Sequence, residues 1–399
     1  MQRPDAPSVA LLSGTACASM FVFGIVMAVL GAILPLLSGR MQLATSDIGK
    51  LFLVMNAAML GSSLVLGLAM DRFGMKPPLV MGPLLVAAGL GVVVRAAAFV
   101  ALLPAVVLLG IGGGALNGAA NTLVADLHEN PRRKGAALNY LGIFFGFGAL
   151  FLPFVIGALL ARLSVASLLI AASTLCAAVG VFASFRRFPV PKQRHALPLA
   201  DMPRFLRSPL VLTFAFLLFF ESGVEFTLGG FISTYLIHDM GLSSVTLASW
   251  ILAGYWASIM ISRFVLSRIA PRMDPYRTLL LCACGAGIGA VVAALASRPA
   301  IAALGILICG WSLAGVYPAS LGITGDRFQS HSGTVFGILF AIALAGGMIF
   351  PLLAGQLGTV AGLRWAFGMI AAAFVAILGL SRIAKRIEYR GGKFSEEIV

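Results

Sequence analysis

The sequence predicts an all-α membrane protein whose twelve spanning helices divide into two six-helix bundles. Composition is the first observation behind this. Of 399 residues, 60% are hydrophobic and only 11% charged, with a mean hydropathy of +1.02, whereas soluble domains carry about 25% charged residues. About 20 apolar residues cross about 30 Å of hydrocarbon as a helix, so the chain supplies up to a dozen spans and no large soluble domain. The second observation is the pattern within the apolar runs. Period-two alternation is absent, so helices, which satisfy their own backbone groups, are expected in place of a transmembrane barrel. The third is the charge distribution. The net charge is +14, and the basic residues sit in short loops, where they orient a chain in the membrane rather than bind nucleic acid.

Charged and turn residues punctuate the spans in order. The first, 10–37, is too long for a signal peptide and stops before Arg40; the second, 48–70, ends at Asp71-Arg72; the third, 78–97, contains Arg95 near its end. The fourth, 101–126, stops ahead of Arg132-Arg133-Lys134, the fifth, 135–161, at Arg162, and the sixth, 165–185, at Arg186-Arg187. The connection 187–208 is polar, basic and carries Pro189, Pro191, Pro198 and Pro203. It reads as a cytoplasmic linker between an N-terminal bundle, 1–186, and a C-terminal bundle, 209–386. The remaining spans are 209–236, 245–270, 276–296, 300–324, 332–358 and 362–384, and 387–399 is a cytoplasmic tail.

With both termini in the cytoplasm, all but six of the 28 basic residues fall on that side; the exceptions are Arg40, Lys50, Arg95, Arg162, Arg298 and Arg364. A multi-pass protein of the inner or plasma membrane, N-in and C-in, is therefore expected. A faint repeat supports two related halves. Pro153-Phe-Val-Ile-Gly157 returns as Pro351-Leu-Leu-Ala-Gly355, 198 positions later, and Asp71-Arg72 is matched by Ser267-Arg268, 196 later. Transporters that rock about a midplane site have such halves. The five cysteines lie inside apolar runs and the four histidines at loops or span ends without metal spacing, so no metal, cofactor or disulfide framework is expected. No nucleophile is paired with a base, so catalysis is not expected either.

Between spans two and three stands Gly67-Leu-Ala-Met-Asp71-Arg72-Phe-Gly74-Met-Lys76. Gly67 permits close helix approach, Gly74 a tight turn, and Asp71 can pair with a cation or cap a helix end. This G-x-x-x-D-R-x-G-x-K stretch resembles the signature loop of the major facilitator superfamily. That resemblance implies the major facilitator fold and gives Gly67, Asp71, Arg72, Gly74 and Lys76 a gating role. Span five, Leu138-Asn139 through Gly146-Phe-Gly148 to Pro153, is similar to fucose permease-like and sodium–glucose-type sugar symporters, with Gly142 where those often have His. Span seven, Phe220-Glu221-Ser-Gly223-Val-Glu225 through Gly229-Gly230-Phe231 to Thr234-Tyr235, resembles the same group and carries over Glu225. Span four has Asn117, then Asn121, where those symporters place an acid and then Asn. The drug-antiporter branch fits less well, because the fourth span lacks a basic residue and Leu152 precedes Pro153.

An ionisable group inside a span costs about 2.5–3.5 kcal/mol to insert, so it usually faces a cavity with a task. Glu221 and Glu225 are four apart on one helix face and are the expected cation-coupling pair. Arg263 is expected to snorkel to the interface or pair at the gate. Asn56, Asn117 and Asn121 offer donors and acceptors to sugar hydroxyls, or serve as glue between helices. Trp256 and Trp311, away from the interfacial belts, are candidate walls for a sugar's apolar face. The run Gly110-Ile-Gly112-Gly113-Gly114 lies in an apolar segment without a preceding strand and reads as helix packing.

The expectation is a monomeric secondary transporter of a small neutral polar solute, a monosaccharide of the hexose class, by symport with H+ or Na+. Its substrate contacts would be Asn56, Asn117, Asn121, Glu225, Trp256 and Trp311, and membrane lipid would surround it. Proton-coupled efflux of lipophilic compounds and uncoupled sugar facilitation compete with it, and a receptor or scaffold would leave the intramembrane acids without a purpose.

Overall fold

The computed structural model describes residues 9–127, 131–189, 202–269, 272–328 and 332–396. Among these, helices and turns account for the fold, no strand occurs, and twelve helices are long and apolar enough to cross a membrane. The first half comprises α1 (Val9–Met41), α2 (Thr45–Phe73), α3 (Lys76–Arg95), α4 (Phe99–Leu127), α5 (Pro131–Leu159) and α6 (Val165–Ser184). The second comprises the short α7 (Met202–Leu206), α8 (Pro209–Thr234), α9 (Val245–Ile269), α10 (Pro275–Leu295), α11 (Pro299–Leu313), α12 (Val316–Arg327), α13 (Ser332–Val360) and α14 (Leu363–Glu396). Of the expected linker 187–208, residues 190–201 lie outside the described residues.

The tenth span is not one helix. It breaks at Ala314-Gly315 into α11 and α12, because Pro318 has no N–H to donate back to Ala314 and Gly315 leaves no room for a side chain beside Cys282 and Leu266. The seventh span continues from α8 into a π-helical turn, Tyr235–Asp239. There the Tyr235 hydroxyl donates to the Ala293 carbonyl at 2.6 Å, and its ring stacks 4.1 Å from Phe367. The helix of the twelfth span continues beyond the span itself: α14 runs to Glu396.

The glycine-rich run of α4 packs as expected. Gly110 and Gly114 abut the backbone of α2 at Met55 and Met59, and Gly112 meets α3 at Gly82. Small residues let membrane helices approach where no hydrophobic force draws them together. α1 is buried over 83% of its apolar window and α8 over 72%, against 28% for α6, so α1 and α8 are inner helices and α6 is peripheral.

Across the bundles α2 packs on α13, α5 on α9 and α1 on α8. The internal repeat shows first within each bundle. Gly148 of α5 lies on the Phe21 carbonyl of α1, and Gly346 of α13 on the Phe219 carbonyl of α8, both partners 198 positions apart. Nearer the end away from the termini, a Cβ on Gly157 would stand 3.1 Å from the Trp250 indole, and one on Gly355 would stand 2.7 Å from the Thr45 carbonyl. The Ser46 amide donates to Thr359 Oγ1 at 2.9 Å, and Gly31 crosses Gly229. Phe52 wedges between Phe226 and Phe231. The bundles therefore meet tightly at the end away from the termini. Among the described residues, hydrogen bonds, ring contacts and glycine crossings between bundles reach no further toward the termini than Asn56, Phe145, Arg263 and Gly347.

Candidate functional site

Where this closed half ends, α8 presents two acids one turn apart. Glu221 is 1% exposed, and its Oε2 has no hydrogen-bond partner. Glu225 Oε1 stands 4.0 Å from the Arg263 guanidinium of α9, with side chains 12% and 29% exposed. Both side chains keep this partial exposure, while the bundles are closed together on their far side.

Arg263 also lies over the Phe145 ring of α5, 5.7 Å from its centroid, while its Nε is buried without a partner. A guanidinium on an aromatic face keeps its in-plane donors available. Seven residues back on the same face of α9, Trp256 is 1% exposed and meets Phe145 edge-on at 6.2 Å and Tyr255 at 5.3 Å. Trp256 Nε1 and the Tyr255 hydroxyl are buried without partners. Tyr255 and, just past the break in the tenth span, Tyr317 of α12 lie within electrostatic reach of both carboxylates and Arg263. Buried polar atoms are normally hydrogen-bonded, so the unpaired ones on Glu221, Tyr255, Trp256 and Arg263 are available to receive polar partners.

Asn56 of α2 also carries a buried, unpaired Oδ1. Its Nδ2 donates to Phe52 O at 3.0 Å and across the bundles to Gly347 O at 3.1 Å. Asn117 and Asn121 pair with each other: Asn121 Nδ2 donates to the Asn117 carbonyl at 2.8 Å and to Asn117 Oδ1 at 3.0 Å. Trp311 is 45% exposed, in an apolar groove of about 460 Å3 with Gly254, Ala257, Ser258, Ile261, Leu307 and Ile308. By helical periodicity those α9 residues lie on the side opposite Trp256 and Arg263, so Trp311 stands apart from the acids. Of the gating loop, Gly74 has φ +80° and donates its N–H to Met70 O, closing α2, as expected from the turn. Arg72 stacks on Phe73 at 5.3 Å, Lys76 begins α3, and the surroundings of Gly67 and Asp71 lie outside the described side chains.

Sequence reasoning set Arg263 at the interface or gate; the structure instead brings it to Glu225. Its position two turns from Trp256 on one face was the available signal. Phe145 gave none, and Tyr255 and Tyr317 are only weak candidates for a cavity wall in the sequence, since the packing of α5 and the break before α12 are what bring Phe145 and Tyr317 near the acids.

The model of the Major Facilitator Superfamily matches residues 16–309 and 214–396. The chain belongs to the major facilitator superfamily. This facilitator is similar to the glucose/mannose transporter GlcP of Bacillus subtilis (strain 168), 22% identical over 350 residues covering 85% of this chain and 86% of that one. Among solved structures it resembles the nucleoside transporter NupG, with a TM-score of 0.77 at 14% identity, covering 94% of this chain and 99% of that one. It also resembles the E. coli fucose:proton symporter FucP, with a TM-score of 0.65 at 17% identity, covering 93% of this chain and 98% of that one. These two likenesses establish the facilitator fold. The facilitator is thus a multi-pass membrane protein of a transporter family.

Proposed function

We propose that this facilitator moves a small neutral polar solute, a monosaccharide of the hexose class, by alternating access, in symport with H+ or Na+. The observation that carries the reading is the set of unpaired buried donors and acceptors where the bundles meet: Asn56 Oδ1, Glu221 Oε2, the Tyr255 hydroxyl, Trp256 Nε1 and Arg263 Nε. A sugar presents alternating hydroxyls that donate and accept, and an apolar ring face that packs on an indole. The name of the glucose/mannose transporter and that of the fucose:proton symporter support the substrate class and the coupling. Asn56, Trp256 and Glu225 are retained as substrate contacts; Asn117 and Asn121 serve from α4, and Trp311 is left to the outer groove.

Glu225 and Glu221 carry the cation. Loading one of them changes the charge facing Arg263, which links ion binding to how the bundles meet. With bundles 1–186 and 209–386 joined by the linker 187–208 and both termini cytoplasmic, the conformation described here is open inward. The protein works as a monomer.

Thermal shift tests the substrate class. At a hundredfold excess over Kd a ligand adds about 2.7 kcal/mol of stability, so a hexose should raise the melting temperature where lipophilic cations do not. Stabilisation by hydrophobic cations alone would favour efflux. For the gate, Asp71→Asn should slow or bias interconversion while leaving substrate affinity within about three-fold, because the loop lies about half a bilayer from the midplane. Equilibrium binding measured by calorimetry checks this, and its complete loss in a folded variant would place the motif at the substrate instead.

A further inference from the structure

The last helix carries a feature the transport site does not use. Arg382, Lys385, Arg386 and Tyr389 of α14 line a groove of about 360 Å3, and all four are exposed. Lys385 is offset by Asp274, 3.8 Å away. Arg382 and Arg386, one turn apart on the same face, form no ion pair among the described residues. Two guanidinium groups are thus left as a net positive pair. Toward the far end, the same stripe of α14 runs through Gly379, with open space beside it, Val375, 70% exposed, and Ala371. It changes from wholly apolar to doubly cationic within one turn.

The height of that change matters. Counted from Leu363, where α14 begins, about 20 residues cross the hydrocarbon, which brings the helix to the headgroup layer at Arg382 to Arg386. Tyr389, 70% exposed, follows one turn later, where amphipathic rings collect.

We propose that this stripe is a binding site for an anionic phospholipid of the leaflet facing the termini. Its phosphate lies between the Arg382 and Arg386 guanidinium groups, and an acyl chain lies along Gly379, Val375 and Ala371. Charge complementarity selects the anion, since a paired Lys385 and two unpaired arginines leave a site that a zwitterionic headgroup only partly neutralises. The apolar run selects the lipid over a soluble phosphate.

Native mass spectrometry of the full-length protein in detergent tests this, by titrating phosphatidylglycerol, phosphatidylcholine and glycerol phosphate. Phosphatidylglycerol should bind most tightly. A basic residue near an anionic surface contributes enough for about five-fold in affinity, so Arg382→Ala/Arg386→Ala should weaken phosphatidylglycerol about 25-fold and each single variant about five-fold. The double lysine variant should retain most of the affinity, and Arg95→Ala at the opposite end should change nothing. Should the double alanine variant fail to fold, judged by circular dichroism, the single variants decide. Undiminished phosphatidylglycerol binding in folded variants overturns the proposal, as does equal retention of phosphatidylcholine. Glycerol phosphate binding as tightly as the lipid would make this a soluble-anion site, and a dimer lost on the same substitutions would make it a contact between copies.

Discussion

Glu225→Gln is expected to abolish gradient-driven accumulation while leaving exchange of substrate across the membrane. The Glu225 carboxylate faces Arg263 at 4.0 Å and keeps 12% of its side chain exposed. An amide of the same shape fills the space and still accepts a hydrogen bond, but it neither titrates nor binds a cation by charge. One coupled charge moving through about 100 mV is worth about 2.3 kcal/mol, or about 50-fold accumulation. Proteoliposomes under such a potential should show that ratio for the parent and a ratio near one for the variant. Glu221→Gln should have a smaller effect on accumulation, because Glu221 is closed off from solvent in this conformation. If the Glu221/Glu225 double amide accumulates substrate like the parent, both acids are structural and the coupling ion is carried elsewhere.

The second large effect is expected from the closed end. A Cβ on Gly49 would stand 2.9 Å from the Leu352 Cα, and one on Gly355 would stand 3.1 Å from the Gly49 nitrogen. Backbone cannot yield as a side chain does, so Gly49→Leu or Gly355→Leu should destabilise this arrangement by about 1–3 kcal/mol. Each would shift the population about 5- to 150-fold toward the state open at the far end. Spin labels on exposed positions of the far-end loops would report longer distances, and transport would fall in proportion. Unchanged distances in a variant that folds would mean the bundles separate elsewhere.

Much of this architecture is legible in the sequence because hydrocarbon allows one solution to the backbone's hydrogen bonding, so apolar runs become helices wherever twenty such residues occur. The Pro153 and Pro351 repeat likewise pointed at two related halves, since the same packing problem is solved twice. The break in the tenth span was less legible. Proline is tolerated in membrane helices, as Pro35, Pro83 and Pro104 show inside α1, α3 and α4, and only the crowding of Gly315 against Cys282 distinguishes Pro318. At the site, the acids announced themselves by the cost of burying charge. Arg263 did not, because a long cationic side chain six residues from a helix end can reach water or a partner equally well. Trp256 and Trp311 look alike in sequence, and only the rotation of α9 and α11 about their axes separates an inner ring from an outer one.

The glycine crossings make a machine part of α5 and α13. Each touches its own bundle at Gly148 or Gly346, and at nearly that height it meets the other bundle, through Met260 beside Gly146 and Asn56 bonded to Gly347. Each then reaches nine residues on to Gly157 or Gly355, an arm of about 14 Å. A rotation of about 15° about the inner crossings would carry the tips about 3.5 Å apart, enough to end van der Waals contact there. The crossings act as fulcrums, so a small tilt about them parts the tips without dissolving the contacts on which it turns.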